Sequence, residues 1–157
     1  MADATPCVLR LTIPSDPKYI RILRGALLQA AALAGFSEQE AHRMTLAVDE
    51  GCTNIIKYGY NGDCTKKINL SCHIAPGEIE IRIRDFGKKA SPEQIKSRQL
   101  NEIRPGGLGV HLMHEIMDLV EYDHSKTVGT ELRLVKRVKG DPSGGEVTKR
   151  DASCAPS

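Results

Sequence analysis

Apolar and polar residues alternate along two neighbouring stretches in the middle of the chain, residues 67–74 and 78–85. Successive side chains of a β-strand point to opposite faces of its sheet, so a period of two is typical of a strand with one covered face. The segment from Ala75 to Gly77 between them carries a Pro-Gly pair, which favours a turn. The two stretches therefore predict an antiparallel hairpin whose isoleucines and Cys72 face the core.

Two longer stretches repeat their apolar residues every three or four positions, which is the spacing of one helix face. The first begins at Pro17 and ends at Gly35, because proline suits a first helical position and glycine suits a helix end. The second begins with the capping box of residues 37–40 and continues to about Tyr58. A third helix is predicted over residues 110–119, where most positions are apolar.

Together these elements predict an α/β two-layer sandwich, with a mixed, mostly antiparallel sheet covered on one face by three main helices. The remaining strands are predicted at residues 7–13, 120–123 and 129–135. Residues 1–138 are expected to form one domain, and the Gly/Ser/Pro-rich residues 139–157 to form a disordered tail. The polar stretch 88–105 predicts a mobile lid with a short helix from Ser91.

Composition excludes several classes of protein. Hydrophobic residues make up 40% of the 157 residues and charged residues 27%, as in an ordinary globular domain. The net charge of +2, without a basic block, argues against a dedicated nucleic-acid binder. No apolar run is long enough to cross a membrane and no signal peptide is visible, so the expected location is the cytoplasm. The spacing of the five cysteines fits no zinc pattern, which favours free thiols in a reducing compartment.

The second helix carries a polar stripe that points to chemistry. Glu50 and Asn54 lie four residues apart, about one helical turn, so their side chains leave the same face. Arg43 and Lys57 lie on the same stripe. A carboxylate, an amide and two cations beside a core can hold a metal-bound phosphate and supply a base, although the same pattern also suits a solvated helix face. Gly51 is a poor helix former here by about 1 kcal/mol relative to alanine, which suggests close approach of the sheet or of a nucleotide.

Glycines from Gly106 to Gly109 open the third helix. Backbone amides at a helix start favour anions, and glycine lets a ligand approach them closely, so this segment suggests phosphate binding. The segment lacks the lysine of a P-loop and the glycine spacing of a dinucleotide-binding fold, and a plain loop is the alternative reading. His111 and His114 lie one turn apart without a matching carboxylate or thiol, so no metal site is predicted there.

Asp85, Phe86 and Gly87 close the second strand of the hairpin. The tripeptide also occurs in eukaryotic-type protein kinases, but this chain is too short and lacks the other kinase motifs. A buried aspartate at a strand end can accept a hydrogen bond from an exocyclic amine such as that of adenine. An aspartate in a tight turn is the alternative.

In chain order, four motifs resemble those of the Bergerat-type ATP-binding fold, which is shared by gyrase, the Hsp90 chaperone, histidine kinases and the mismatch-repair protein MutL. The motifs comprise residues 50–54, 85–87, 106–109 and 129–130. Residues 46–57 and 107–118 are most similar to the small single-domain anti-sigma-factor serine kinases of bacteria. The resemblance covers about residues 7–137, nearly all of the predicted ordered chain.

The resemblance implies a role for each motif residue at the phosphate end of an ATP site. Asn54 would coordinate Mg²⁺, and its amide oxygen is a hard ligand suited to that ion. Gly107 and Gly109 would present backbone amides to the phosphates. Glu50 would act as general base on a serine hydroxyl or would orient a water molecule. Arg104, just before the glycines, and Arg98, in the predicted lid, are candidates for contact with the terminal phosphate.

At the base end, the resemblance implies that Asp85 would hydrogen-bond the adenine amino group, with support from Thr130. Gly87 would let the base lie against the backbone. Lys89 stands where the wider family often has a second glycine, which puts the usual close packing of the lid hinge in doubt.

The implied function is that of a cytoplasmic serine kinase of a partner-switching system, using ATP and Mg²⁺. It would bind a sigma factor or another output protein, phosphorylate a small antagonist protein on serine, and work as a homodimer without contacting nucleic acid or membrane. A nucleotide-gated binding module without phosphotransfer and an ATP hydrolase are the alternatives. Glu50 argues against the pure binder, which needs no base. A histidine-kinase fragment is disfavoured because no dimerisation helix with a phosphoacceptor histidine is visible.

Overall fold

One five-stranded sheet forms the base of the computed structural model, which describes residues 7–89 and 108–140. Its strands are β1 Cys7–Pro14, β2 Lys67–Ala75, β3 Glu78–Arg84, β4 Leu119–Asp123 and β5 Glu131–Arg137. Their order is β1-β2-β3-β5-β4, and every pairing among these strands is antiparallel. The alternation in the sequence therefore located the predicted hairpin and the remaining strands.

Helices α1 Pro17–Ala34, α2 Glu38–Asn54 and α3 Leu108–Ile116 cover one face of the sheet. The end of α1 is confirmed at Gly35, which adopts the left-handed conformation with φ 94°. The start of α2 is confirmed by a complete capping box, in which the Ser37 hydroxyl accepts from the Glu40 amide and Glu40 accepts from the Ser37 amide. Local capping chemistry thus sets both ends of the α1–α2 connection. The predicted α/β sandwich is confirmed.

Below Asn54 the backbone changes from an α-helix to a π-helical turn over Ile55–Gly59. The periodicity of the sequence predicted helix as far as Tyr58 but not this change of type. A π-helical turn holds one more residue than an α-helical turn and is frequent at functional sites. It leaves Ile55 and Ile56 in the core and exposes Lys57 on the surface.

The core lies between the helices and the inner face of the sheet. Three isoleucines of β3, Ile79, Ile81 and Ile83, are fully buried and occupy its centre. Full burial of one such side chain contributes about 1.5–3 kcal/mol, so β3 is a main source of stability. The outer face of the same strand carries Glu80 and Arg82, which form an ion pair on the solvent side. The alternation predicted from the sequence therefore separates core from surface along this strand.

Gly51 brings α2 unusually close to the sheet. A Cβ atom at this position would lie 2.9 Å from Leu132 Cδ2 and 3.2 Å from Ile83 Cδ1. Both distances are shorter than ordinary carbon contacts, so the helix packs at this separation only because residue 51 has no side chain. The prediction that Gly51 allows close approach of the sheet is confirmed.

Apart from the end of α2, the largest differences from the predicted boundaries concern α3 and β5. Helix α3 spans residues 108–116 rather than 110–119, because Leu119 already begins strand β4. Strand β5 begins at Glu131 rather than residue 129, because Gly129 takes a left-handed φ of 70° that ends strand geometry.

Several predicted features lie outside the described residues. They are most of the lid with its short helix from Ser91, the arginines Arg98 and Arg104, the glycines Gly106 and Gly107, and the tail beyond residue 140. The boundary of the domain at residue 138 stays a prediction. Within residues 7–89 and 108–140, no helix is long and apolar enough to cross a membrane.

The helical glycines Gly25 and Gly51 offer a matched test of the contact between α2 and the sheet. Gly25 lies in α1, where an added Cβ would meet nothing within 4 Å. Gly25→Ala should therefore raise the free energy of unfolding by about 0.5–1 kcal/mol. Gly51→Ala should give no such gain, because overpacking of Leu132 and Ile83 costs about 1–3 kcal/mol. Urea denaturation measures both variants, and an equal gain at the two positions would contradict the close approach.

Candidate active site

Glu50 and Asn54 lie on the last turns of α2, both partly exposed. The side chain of Asn54 makes no hydrogen bond to another described residue, and Ile55 begins the π-helical turn directly after it. The two side chains leave the same helix face, as their spacing predicts. The polar residues Arg43 and Lys57 of the same stripe are exposed.

Of the two adjacent carboxylates on α2, only one is neutralised by an ion pair in the described residues. The Arg24 guanidinium donates from Nε to both carboxylate oxygens of Asp49, at 2.9 and 2.7 Å. Glu50 has no cation within ion-pair distance among the described residues. The Asp49 oxygens are occupied by Arg24, whereas the Glu50 carboxylate is left available to another donor. Glu50 is therefore the better placed of the two to act as a base.

The carboxylate of Glu50 touches the first turn of α3 at Gly109. A Cβ atom on Gly109 would overlap Glu50 Oε2 and lie 2.8 Å from Glu50 Cδ. Residue 109 therefore has to be glycine while Glu50 keeps this position. The structure thus brings together Glu50 and Gly109, two predicted site residues from separate motifs, at the start of a helix.

Asp85 is buried at the end of β3, with 6% of its surface exposed. Its amide donates to the Thr130 carbonyl at 3.0 Å, and its Oδ1 accepts from the Gly87 amide at 2.9 Å. The position of a Cβ on Gly59 would lie 3.6 Å from the same oxygen. Asp85, Gly87 and Thr130, predicted to bind the base, therefore lie together beside the end of the π-helical turn.

Burial raises the pKa of the Asp85 carboxyl above its ordinary value. The hydrogen bond from the Gly87 amide and the charge of Arg84 act in the opposite direction without cancelling it. A buried carboxylate with few donors around it costs stability, because the charged form loses its hydration. Such a cost at a strand end is typical of a group kept for binding.

Close backbone contacts at Gly87 and Gly129 hold the base end together. A Cβ on Gly87 would overlap the carbonyl oxygen of Gly59 and lie 2.7 Å from its carbon. A Cβ on Gly129 would lie 2.7 Å from the Cα of Phe86. The described geometry therefore gives Gly87 a packing role against the π-helical turn, while its predicted contact with a base stays a prediction.

The hydroxyl of Tyr60 is a site feature that the sequence reasoning missed. It donates to the Lys67 carbonyl at 2.5 Å and accepts from the Phe86 amide at 2.9 Å. The side chain is buried, and burial raises the pKa of its phenol. Tyr60 thus ties the end of the π-helical turn to β2 and to the segment after Asp85. A tyrosine in a predicted turn gave no signal of this role.

Lys89, at the position of the second family glycine, donates from Nζ to the His124 carbonyl at 2.8 Å. The lysine is exposed, so this position accommodates a long side chain on the surface. On α3, the Nε2 atom of His111 lies 3.1 Å from Oε1 of Glu115. No group of three potential metal-ligating side chains occurs in residues 7–89 and 108–140. His111 and His114 are both exposed on α3, and Glu115, which the sequence analysis did not consider, lies beside His111.

Comparison with known proteins gives consistent results. Residues 13–136 match the family described as the histidine kinase-like ATPase domain. The chain is 30% identical over 130 residues to the serine-protein kinase RsbW of Listeria innocua, covering 76% of this chain and 83% of that protein. It is 24% identical over 141 residues to the serine-protein kinase RsbW of Bacillus subtilis, covering 85% of this chain and 87% of that protein.

Solved structures share the fold at lower identity. One contains the RsbU and RsbW domains of a Mycobacterium tuberculosis protein, with a TM-score of 0.60, 18% identity, and coverage of 83% of this chain and 32% of that chain. Another comes from the SiaB–SiaC complex of Pseudomonas aeruginosa, with a TM-score of 0.61, 14% identity, and coverage of 81% and 88%. At these identities the likeness concerns the fold alone.

The contact between Glu50 and Gly109 predicts a coupling between the two positions. Gly109→Ala should gain less than the roughly 0.5–1 kcal/mol that replacing a helical glycine by alanine usually adds to the free energy of unfolding, because the new methyl group displaces the Glu50 carboxylate. In a Glu50→Ala background the same change should be more favourable than in the wild type, because no carboxylate has to move. Urea denaturation of the four proteins measures the difference.

Asp49 provides the control for that cycle, since it points to Arg24 instead. Gly109→Ala should have the same effect in an Asp49→Ala background as in the wild type. An equal effect in all three backgrounds would contradict the contact.

The raised pKa of Asp85 predicts a pH-dependent penalty on folding. The folded state binds this proton more tightly than the unfolded state, so the stability of the wild type falls as pH rises from about 4 through the raised pKa. Asp85→Asn carries no charge and can still accept from the Gly87 amide. Its stability relative to the wild type should therefore increase between acidic and neutral pH, as measured by urea denaturation. A difference that stays constant or shrinks over this range would show that the carboxylate is not penalised.

Proposed function

We propose that this chain transfers the γ-phosphoryl group of Mg²⁺-bound ATP to a serine of a small antagonist protein. The chain belongs to the histidine kinase-like ATPase domain family and to the serine-protein kinases within it. The observation that carries the proposal is the position of the Glu50 carboxylate. It is free of an ion pair among the described residues, lies one turn from Asn54, and touches the start of α3 at Gly109.

The donor set at the phosphate end fits a hard cation and an anionic substrate. Asn54 offers an amide oxygen, which is a ligand type that Mg²⁺ accepts, and that ion would neutralise charge on the phosphates when bound. The first turn of α3 offers backbone amides to the same phosphates. Gly107 and Arg104, outside the described residues, are proposed to add a further amide and a cation.

Glu50 is proposed to accept the proton of the attacking serine hydroxyl. In phosphoryl transfer the protein mainly positions groups and stabilises charge, so one well-placed carboxylate is sufficient as base. Asp49, the neighbouring carboxylate, points instead to Arg24 of α1, so Glu50 is the carboxylate of this pair that faces α3. Gly109 keeps the carboxylate of Glu50 at the start of α3, where the phosphates are proposed to bind.

Asp85 is proposed to recognise the adenine amino group at the base end. Its burial removes competing water, and the Gly87 amide fixes the orientation of the carboxylate. Thr130 supports it through the backbone hydrogen bond that joins the two residues. A buried acceptor of this kind discriminates strongly against a base without an amino group, because an unmatched charge would remain desolvated.

The proposed biological setting is a partner-switching system in the cytoplasm. The chain, acting as a homodimer, would hold a sigma factor or another output protein and would phosphorylate the antagonist that competes for it. Phosphorylation adds about −1.5 to −2 charges to the serine, which is sufficient to disrupt an interface. The support is the relatedness to proteins named serine-protein kinase RsbW.

Calorimetric titration with ATP, in the presence and absence of Mg²⁺, tests the roles of Asn54 and Glu50. Asn54→Ala should lose the Mg²⁺-dependent part of the affinity, on the order of tenfold or more, because the amide ligand is gone. Glu50→Gln should bind ATP as the wild type does and lose on the order of 10²–10⁴-fold in phosphotransfer, because the base is gone.

Asp49→Asn is the matched control and should retain transfer, since Asp49 serves Arg24. Transfer retained in Glu50→Gln would contradict the assignment of the base. Phosphate release without a phosphorylated partner would identify a hydrolase, and ATP binding without either product would identify a nucleotide-gated binding module.

A further inference from the structure

A half-open cleft lies beside the base end of the site. It has a volume of about 580 Å³ and is lined by residues 59–61, 65–67 and 86–88. It shares Gly59 and Gly87 with the surroundings of Asp85, while neither Glu50 nor Asn54 contributes to its walls. The residues proposed for phosphoryl transfer therefore lie outside this cleft, which adjoins the proposed base-binding end.

Positive charge in the cleft is poorly compensated. Three lysines line it, and among the described residues Lys67 and Lys88 pair with no carboxylate. The Nζ of the third, Lys66, lies 3.9 Å from Asp63 Oδ2. The other oxygen of that carboxylate already accepts hydrogen bonds from the amide and hydroxyl of Thr65. A concave surface of one sign raises the local concentration of the opposite charge, so the cleft favours an anionic ligand.

On the outer face of β3 and β5, three of the four arginines lie within 2.9 Å of a glutamate, unlike the lysines of the cleft. The pairs are Arg82 with Glu80, Arg133 with Glu80 and Arg137 with Glu78. The fourth, Arg84, donates to backbone carbonyls. The uncompensated lysines of the cleft thus differ from these three arginines.

An aromatic ring lies among the cations of the cleft. Phe86 is 38% exposed, and its ring centroid lies 5.2 Å from Lys67 Nζ and 4.8 Å from Arg84 Cζ. Arg84 is fixed there because its guanidinium donates to the carbonyls of Asp85 and Val128. An exposed ring flanked by cations suits a chain that presents both carboxylates and apolar side chains, rather than a bare anion.

The walls of the cleft are held in place before any ligand arrives. The Tyr60 hydroxyl joins the two sides through the Lys67 carbonyl and the Phe86 amide. Ser15 anchors the segment before β2, since its hydroxyl donates to the Asp63 carbonyl at 2.6 Å and its amide to the Lys66 carbonyl at 2.8 Å. Preorganised walls lower the entropic cost of binding a flexible peptide.

We propose that this basic cleft docks an acidic segment of a protein partner, one that carries an apolar side chain to place against Phe86. That this partner is the antagonist serving as phosphate acceptor rests on the proposed function. The docking itself rests on the charge and shape of the cleft alone. The cleft would then hold the partner by a segment separate from the serine presented to Glu50.

Fluorescence anisotropy with a labelled peptide, in which pairs of glutamates alternate with leucine, tests the docking. The wild type should bind this probe, and affinity should fall as salt rises. The double charge reversal Lys67→Glu/Lys88→Glu should weaken binding by about tenfold or more. The control Arg10→Glu/Lys139→Glu makes the same change in net charge at exposed positions outside the cleft and should bind as the wild type does.

A peptide with lysine in place of glutamate provides a rescue, and it should bind the Lys67→Glu/Lys88→Glu variant better than the wild type. Phe86→Ala should lower the affinity for the acidic peptide but leave the salt dependence of binding unchanged. Absence of probe binding to the wild type, or equal loss in the control variant, would overturn the proposal. Displacement of the peptide by inorganic pyrophosphate at equal concentration would also overturn it, by identifying a simple anion site.

Calorimetry with ATP on the same proteins separates this proposal from the proposed function. The charge-reversal variant should keep the ATP affinity of the wild type, although its affinity for the acidic peptide is reduced. If the wild type binds the peptide in the cleft but binds no ATP, the kinase proposal fails and the docking surface stands.

Discussion

The separation between helix α2 and the sheet is the constraint on which the rest of the structure depends. Gly51 lets the helix lie within a carbon contact of Ile83 and Leu132. Glu50 and Asn54 leave this helix, while Asp85 follows the strand that carries Ile83. The distance between Glu50 and Asp85 is therefore set by core packing, which is dense and resists deformation.

Glycines act at the other junctions of the site as well, and each removes a different clash. The missing side chain of Gly87 leaves space for the carbonyl of Gly59, and that of Gly109 leaves space for the carboxylate of Glu50. The π-helical turn therefore packs closely against the end of β3, and α2 packs closely against the start of α3. Polar groups from distant parts of the chain come into contact as a result. The buried carboxylate of Asp85 costs stability within this framework, and the extensive isoleucine core of β3 offsets that cost.

Features with a local cause could be read from the sequence. Strict alternation located β2 and β3, and cap residues located Gly35 and the start of α2, because both signals arise from neighbours along the chain. The motif spacing also named residues that the structure brings together, such as Asp85 with Thr130. The π-helical turn after Asn54 left no trace, since its pattern of apolar residues continues that of a helix. Tyr60 bridges two segments, and Gly109 leaves space for the carboxylate of Glu50. Both contacts involve residues that are distant in sequence, so no local pattern could indicate them.

The direct pairing of β3 with β5 has a consequence for how this architecture can vary. The two strands are adjacent in the sheet, although α3, β4 and the segment before α3 separate them in the chain. The entropy lost on closing a loop grows only with the logarithm of its length, so doubling the length of such a connection costs about 0.6 kcal/mol. Insertions or deletions between residues 89 and 108 are therefore inexpensive for the sheet. The length of this segment can therefore vary while Glu50 on α2 and Asp85 after β3 keep their separation.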